Sequence, residues 1–188
     1  MESMKLYIKN MVCDRCILVI KSILTELDLP YSNIKLGEVE LTRDMSPQEY
    51  TNLSTRLTAI GFDLIDDRRT RLIERIKTII VEVVYNRVVL KSNLSDYISD
   101  QLHLDYKYLS NIFSETEGVT IEKYLINQKI ERAKELLEYD EMSLSQIAFE
   151  LNYSSTAHLS TQFKKQTGLT PTQFKEKGLK DRLPIDKL

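Results

Sequence analysis

The sequence predicts an α+β chain: an N-terminal ferredoxin-like βαββαβ sandwich over residues 1–68, then an all-α double helix-turn-helix domain over residues 92–188. A junction and connecting helix fill residues 69–91. Three observations carry this prediction. Short runs of alternating apolar residues bracket two helical stripes before residue 68. From Leu94 onward the apolar spacing is helical. That helical half also repeats itself: at a spacing of 50, Leu109, Ser110, Phe113, Gly118 and Thr120 return as Leu159, Ser160, Phe163, Gly168 and Thr170, and Tyr124 returns as aromatic Phe174. Two copies of one supersecondary unit are expected to fold alike.

In the first part, Leu6 and Ile8 alternate as in a strand, and CILVIKSILTEL from Cys16 reads as a helix ending near Asp28-Leu29-Pro30. Ile34 and Leu36, then Val39 and Leu41, alternate on either side of Gly37 as in a hairpin. Ser46-Pro47 opens a second helix, with Tyr50, Leu53, Leu57 and Ile60 on one stripe, and Gly61 ends it. Phe62 to Ile65 supplies a last strand. Asp66 to Arg69 is a charged junction. It leads into a helix whose stripe Leu72, Ile73, Ile76, Ile80, Val83 and Val84 either packs on the following half or meets a second copy of the chain.

The most informative stretch is SLSQIAFELNYSSTAHLSTQFKKQTGLTPTQF, Ser143 to Phe174. Ile147, Ala148 and Leu151 share a face of a short helix from Leu144. Asn152-Tyr153 forms a turn, and Leu159 and Phe163 line a second helix from about Thr156 to Gln166. Ser154, Ser155 and Thr156 each offer an N-cap hydroxyl, Gly168 stops the helix, and Pro171 cannot continue it. The first copy runs from about Leu94 to Gly118, with its second helix from Tyr106. Ile121 to Tyr139 joins the copies and turns Leu125, Ile130, Ala133 and Leu137 inward. At about 1.5 Å per residue that helix is about 28 Å long, near the roughly 34 Å of one DNA turn.

On these residues, and above all the FKKQTGLTPTQF run from Phe163, the segment from about residue 72 to 177 resembles AraC/XylS-type transcription regulators. Where that family most often has glycine at the turn, this chain has Asn152, a residue that tolerates a left-handed backbone. The resemblance implies a sequence-specific regulator in which one monomer reads two successive major grooves of double-stranded DNA. With core positions subtracted, Lys107, Ser110 and Asn111 remain outward in the first unit, at the family's base-contacting positions. Thr156, Ala157, His158 and Thr161 remain outward in the second. Asn111 suits adenine, Lys107 guanine and Ala157 a thymine methyl, while Lys164 and Lys165 suit phosphates. The first unit has Ser114-Glu115 in place of that basic pair, so less phosphate affinity is expected from it, leaving it to discriminate sequence or meet another protein.

Residues 4–68 resemble the heavy-metal-associated domain of copper chaperones and metal-pumping ATPases, through Met11, Cys13 and Cys16 in NMVCDRC and through Gly61-Phe62; Asn10 stands where that family usually has glycine. Two thiolates three residues apart at a helix start suit Cu(I) or another soft metal ion. Tetrahedral zinc would need further ligands, and His103 and His158 lie in the other half. A redox switch, a buried structural pair and an organic ligand on the sheet remain alternatives. So does a metal-trafficking protein as the whole reading.

The 188 residues allow one large or two small domains. No apolar run approaches the roughly 20 residues of a membrane span, and CILVIKSIL is too short for one, so a cytoplasmic protein with reduced cysteines and no membrane partner is expected. The net charge of −2 hides an uneven distribution: residues 1–68 carry 8 basic and 11 acidic side chains, whereas residues 155–187 carry 7 and 3. No Ser/His/Asp, paired-carboxylate or phosphate-loop arrangement suggests an enzyme. No cofactor is required, and RNA polymerase and a homodimer stay open as partners.

Overall fold

The structure, a computed structural model, describes residues 4–65, 67–85 and 93–177. By compactness the chain forms two units, Met1–Ile79 and Ile80–Leu188.

The first unit has the order β1 (Met4–Lys9), α1 (Asp14–Glu26), β2 (Tyr31–Lys35), β3 (Glu38–Leu41), α2 (Pro47–Thr58), β4 (Asp63–Leu64), and then the start of α3 (Arg68–Tyr85). Its strands form one antiparallel sheet in the order β2-β3-β1-β4. Because side chains alternate along a strand, Leu6 and Ile8 share a face with Val39 and Leu41. These four form one buried cluster with Ile20 and Leu24 of α1 and Leu53 and Leu57 of α2. On neighbouring positions Lys5 Nζ bridges Glu38 (3.0 Å) and Glu40 (2.9 Å), and the Arg71 guanidinium lies 4.9 Å from the centre of the Tyr7 ring.

Local signals were read correctly at most ends. Ser46 caps α2 in a capping box with Glu49, and Pro47 occupies the first helical position. Asn10 has φ +69°, the left-handed conformation that glycine would adopt at little cost, and its Nδ2 donates to the Gly61 carbonyl at 2.9 Å. Two expectations fail. Ile60 is exposed, because α2 stops at Thr58 and Ile60 lies in the turn beyond it. The last strand is short, Asp63–Leu64; Phe62 and Ile65 are buried on either side of it, and the Ile65 N–H donates to the Tyr7 carbonyl at 2.9 Å.

The expected α3 stripe, Leu72 to Val84, is buried along its whole length. The boundary between the units falls inside this helix. Asp66 and residues 86–91 of the expected junction lie outside the described residues.

The second unit continues with α4 (Leu94–Leu102), α5 (Tyr106–Glu117), α6 (Ile121–Tyr139), α7 (Leu144–Glu150), α8 (Thr156–Thr167) and α9 (Pro171–Lys177). The 50-residue repeat holds in detail. Asn93 and Ser143 cap α4 and α7, Asp105 and Ser155 cap α5 and α8, and Gly118 (φ +70°) and Gly168 (φ +78°) end those last two. The left-handed residue of each turn is His103 or Asn152. Behind each second helix an edge-to-face aromatic pair locks the unit: Phe113 and Tyr124 at 5.6 Å, Phe163 and Phe174 at 5.5 Å. The inward face of α6 is more polar than expected. Ile130, Ala133 and Leu137 are buried and Leu125 only half-buried, while Gln128, Glu131 and Lys134 are also buried, the last two as an ion pair of 2.6 Å.

Candidate nucleic-acid interface

The second helix of each unit has a buried edge and an exposed edge. In α8, Leu159 and Phe163 are fully buried; Ala157, His158, Thr161, Lys164 and Lys165 are exposed on the opposite side, and Thr156 is half-buried between. In α5, Leu109, Ile112 and Phe113 are buried, Lys107 and Asn111 are exposed, and Ser110 is half-buried. Each exposed face holds short polar side chains that can contact base edges.

The start of α8 is tightly organised. The Ser155 hydroxyl accepts from the His158 backbone N–H at 3.1 Å, and Ser154 Oγ lies 3.1 Å from His158 Nδ1. Thr161 donates its hydroxyl hydrogen to the Ala157 carbonyl at 2.9 Å, which leaves that oxygen with acceptor capacity and its methyl outward. Tyr153, in the turn, donates its hydroxyl to Gln162 at 2.9 Å and meets the His158 ring edge-on at 5.2 Å; burial pushes its pKa up to about 12. Lys129 of α6 stands over the other side of this cluster, its Nζ 5.0 Å from the Tyr153 ring centre. At the start of α5, Tyr106 instead donates to Glu122 at 2.6 Å, and burial together with that carboxylate raises its pKa.

The units differ in charge. Residues 94–118 carry five acidic side chains and one basic one, whereas residues 144–168 carry one acidic and two basic. DNA phosphates would therefore meet α8 more favourably than α5.

In the first unit, Cys13 caps α1 and Cys16 lies in its first turn, with the sulfurs 3.7 Å apart and both side chains half-buried. Burial pushes the Cys16 thiol up, against the lowering expected from a helix start. Met11 is buried in the core and so serves packing.

A family model described as a helix-turn-helix domain matches residues 98–177. The uncharacterized HTH-type transcriptional regulator YtdP of Bacillus subtilis is 26% identical over 114 residues, which are 61% of this chain and 15% of that protein. The HTH-type transcriptional activator RhaS of Escherichia coli is 27% identical over 81 residues, 43% of this chain and 29% of that one. Residues 98–177 are similar to a helix-turn-helix domain. The fold is similar to the C-terminal domain of AraT, a response regulator from Geobacillus stearothermophilus, with a TM-score of 0.52 at 22% identity, over 63% of this chain and 92% of that one. The chain spans less than a third of the length of these two curated relatives.

Two further residues lie beside the exposed faces of α5 and α8. The 50-residue spacing maps His158 onto Tyr108, an exposed aromatic on the α5 face, so the repeat applied residue by residue would have found it. Lys129 gave no such signal, because only the folded chain brings it beside Tyr153. No helix among the described residues is long and apolar enough to cross a membrane.

Proposed function

We propose that this chain is a sequence-specific DNA-binding transcription regulator in which α5 and α8 of one monomer enter two successive major grooves of double-stranded DNA. The observation that carries this reading is the match between two capped helices, each with a buried edge and an exposed polar edge, that precede and follow a 19-residue helix in the chain. That helix spans about 28 Å, so a modest bend in the duplex brings both grooves within reach. Asn111 and Lys107 read bases from α5, with Ser110 beside them. Thr156, Ala157, His158 and Thr161 read them from α8, where Lys164 and Lys165 hold phosphates. The work is done in the cytoplasm, with RNA polymerase the partner through which DNA binding would alter transcription. Fluorescence anisotropy on genomic fragments, beginning with the chain's own upstream region, tests the reading. The expected result is nanomolar binding that weakens steeply with salt. Salt-insensitive binding, or none, would sink it.

For the first unit we infer a ferredoxin-like split β-α-β sandwich, supported by its element and strand orders. It acts as the input domain through Cys13 and Cys16. Metal–thiolate bonds of about 2.3 Å put the sulfurs of a straight S–metal–S unit roughly 4.6 Å apart. The observed 3.7 Å needs only a small side-chain rotation to reach that, so the pair fits one soft monovalent ion such as Cu(I). Among the described residues no third ligand stands close enough to complete a zinc site. Titrating Cu(I) under reducing conditions while following DNA binding tests this. Absence of Cu(I) binding removes the metal reading, and binding without a change in DNA affinity leaves storage or trafficking in its place.

A further inference from the structure

We propose that Lys129 of α6 is a phosphate-contacting residue of the helix-turn-helix domain, held at the start of α8 by the ring of Tyr153. This rests on the DNA-binding reading above and extends its contact surface to the helix that joins the two units.

Lys129 differs from the other cations of α6. Lys123 donates to Gln166 at 2.8 Å, Arg132 pairs with Glu135 at 2.6 Å, and Lys134 pairs with Glu131 at 2.6 Å. Lys129 has the face of Tyr153 for its neighbour, and among the described residues no carboxylate offsets its charge. The side chain is half-buried, and desolvation lowers its pKa. Desolvating an ammonium without a counter-charge costs free energy, and a ring face offsets only part of that cost.

Its platform is fixed from three directions. The Tyr153 hydroxyl is tied to Gln162, its ring edge meets His158, and its backbone N–H donates to the Ala148 carbonyl at 2.8 Å. Tyr153 precedes the N-cap Ser155 by two residues, so the ammonium sits beside the first turn of α8. That is the end of a recognition helix that enters the major groove, where the backbone of the duplex passes. A phosphate oxygen there would supply the charge that the free protein withholds.

The free and bound states thus make opposite demands on Lys129, and Lys129→Met in the full chain separates them. On both a genomic fragment and a random duplex, Kd should rise several-fold by about the same factor. The slope of log K against log salt should lose about 0.9 in magnitude. The melting temperature should hold or rise, since the uncompensated ammonium is gone. Lys129→Arg should keep the wild-type slope. An unchanged slope in a folded Lys129→Met variant, or a lowered melting temperature with unchanged affinity, would overturn the proposal in favour of a packing role. If that variant fails to fold, wild-type Lys129 should be shielded from amine acetylation by duplex DNA, and equal labelling with and without DNA would overturn the proposal. A Lys164→Ala/Lys165→Ala control that loses affinity beside an unaffected Lys129→Met sinks this inference alone, whereas a wild-type chain that binds no DNA sinks the reading beneath it.

Discussion

Glu49 shows how much one side chain can hold. Its carboxylate pairs with Arg43 at 2.7 Å, accepts the Ser46 backbone N–H at 2.7 Å and accepts the Ser46 hydroxyl at 2.9 Å. Arg43, and then Ser46, lower its pKa from 4.5 to about 2. A depressed carboxylate stabilises the fold above its unfolded pKa and loses that contribution as pH falls, here between 4.5 and about 2. Glu49→Gln should therefore be less stable than wild type at neutral pH, by a small amount for so exposed a group, and the gap should close across that acid window in far-UV circular dichroism of the full chain. A gap that persists at pH 2 would mean that packing, not charge, is responsible. Ser46-Pro47 was legible as a helix start because a cap followed by proline is a local pattern. Lys129 and Tyr153 were not, because their meeting depends on how α6 and the α7–α8 turn pack.

At the scale of elements, the repeat makes a quantitative claim. Gly118 and Gly168 end α5 and α8 at nearly the same left-handed φ, and a Cβ added at either meets nothing within 4 Å. The cost of Gly118→Ala and Gly168→Ala is then backbone strain alone, about 1–2 kcal/mol each, and equal within a few tenths. Urea midpoints of the two variants check it; a marked inequality would show that the two turns are under different tension. The helices were legible throughout this half because caps, glycines and apolar spacing agree there. Leu125 and the polar core of α6 were missed because a central helix packed on several neighbours buries more than one stripe, and its period blurs. Ile60 was misplaced because it continues the spacing of α2 two residues past the point where the backbone leaves the helix.

Over the whole molecule, charge is unevenly distributed. The second helix-turn-helix copy carries Lys164 and Lys165 on α8, while the first copy, residues 94–118, carries five acidic side chains and one basic one. Replacing both lysines by alanine should weaken binding to all sequences alike and reduce the salt slope by about 1.8, whereas Glu115→Lys should strengthen binding and steepen the slope by about 0.9. Anisotropy across a salt series reads both. A Glu115→Lys variant indistinguishable from wild type would place the end of α5 away from the phosphates. This asymmetry was readable from the sequence once charges were counted by segment. The role of the cysteine pair was less readable, since a two-cysteine motif serves metal binding, redox chemistry and simple packing alike.

The equivalence of the caps has a practical side. Because Asp105 and Ser155, Gly118 and Gly168, and the two aromatic locks occupy matching places, the outward residues of α5 and α8 are payload on a common mount. Grafting Ala157, His158 and Thr161 onto the positions of Lys107, Tyr108 and Asn111 changes no buried contact named above. If α5 and α8 read DNA as proposed, such a chain would seek an operator with the same half-site written twice, one helical turn apart, and the domain would serve as a two-slot cassette for building tandem-repeat DNA readers.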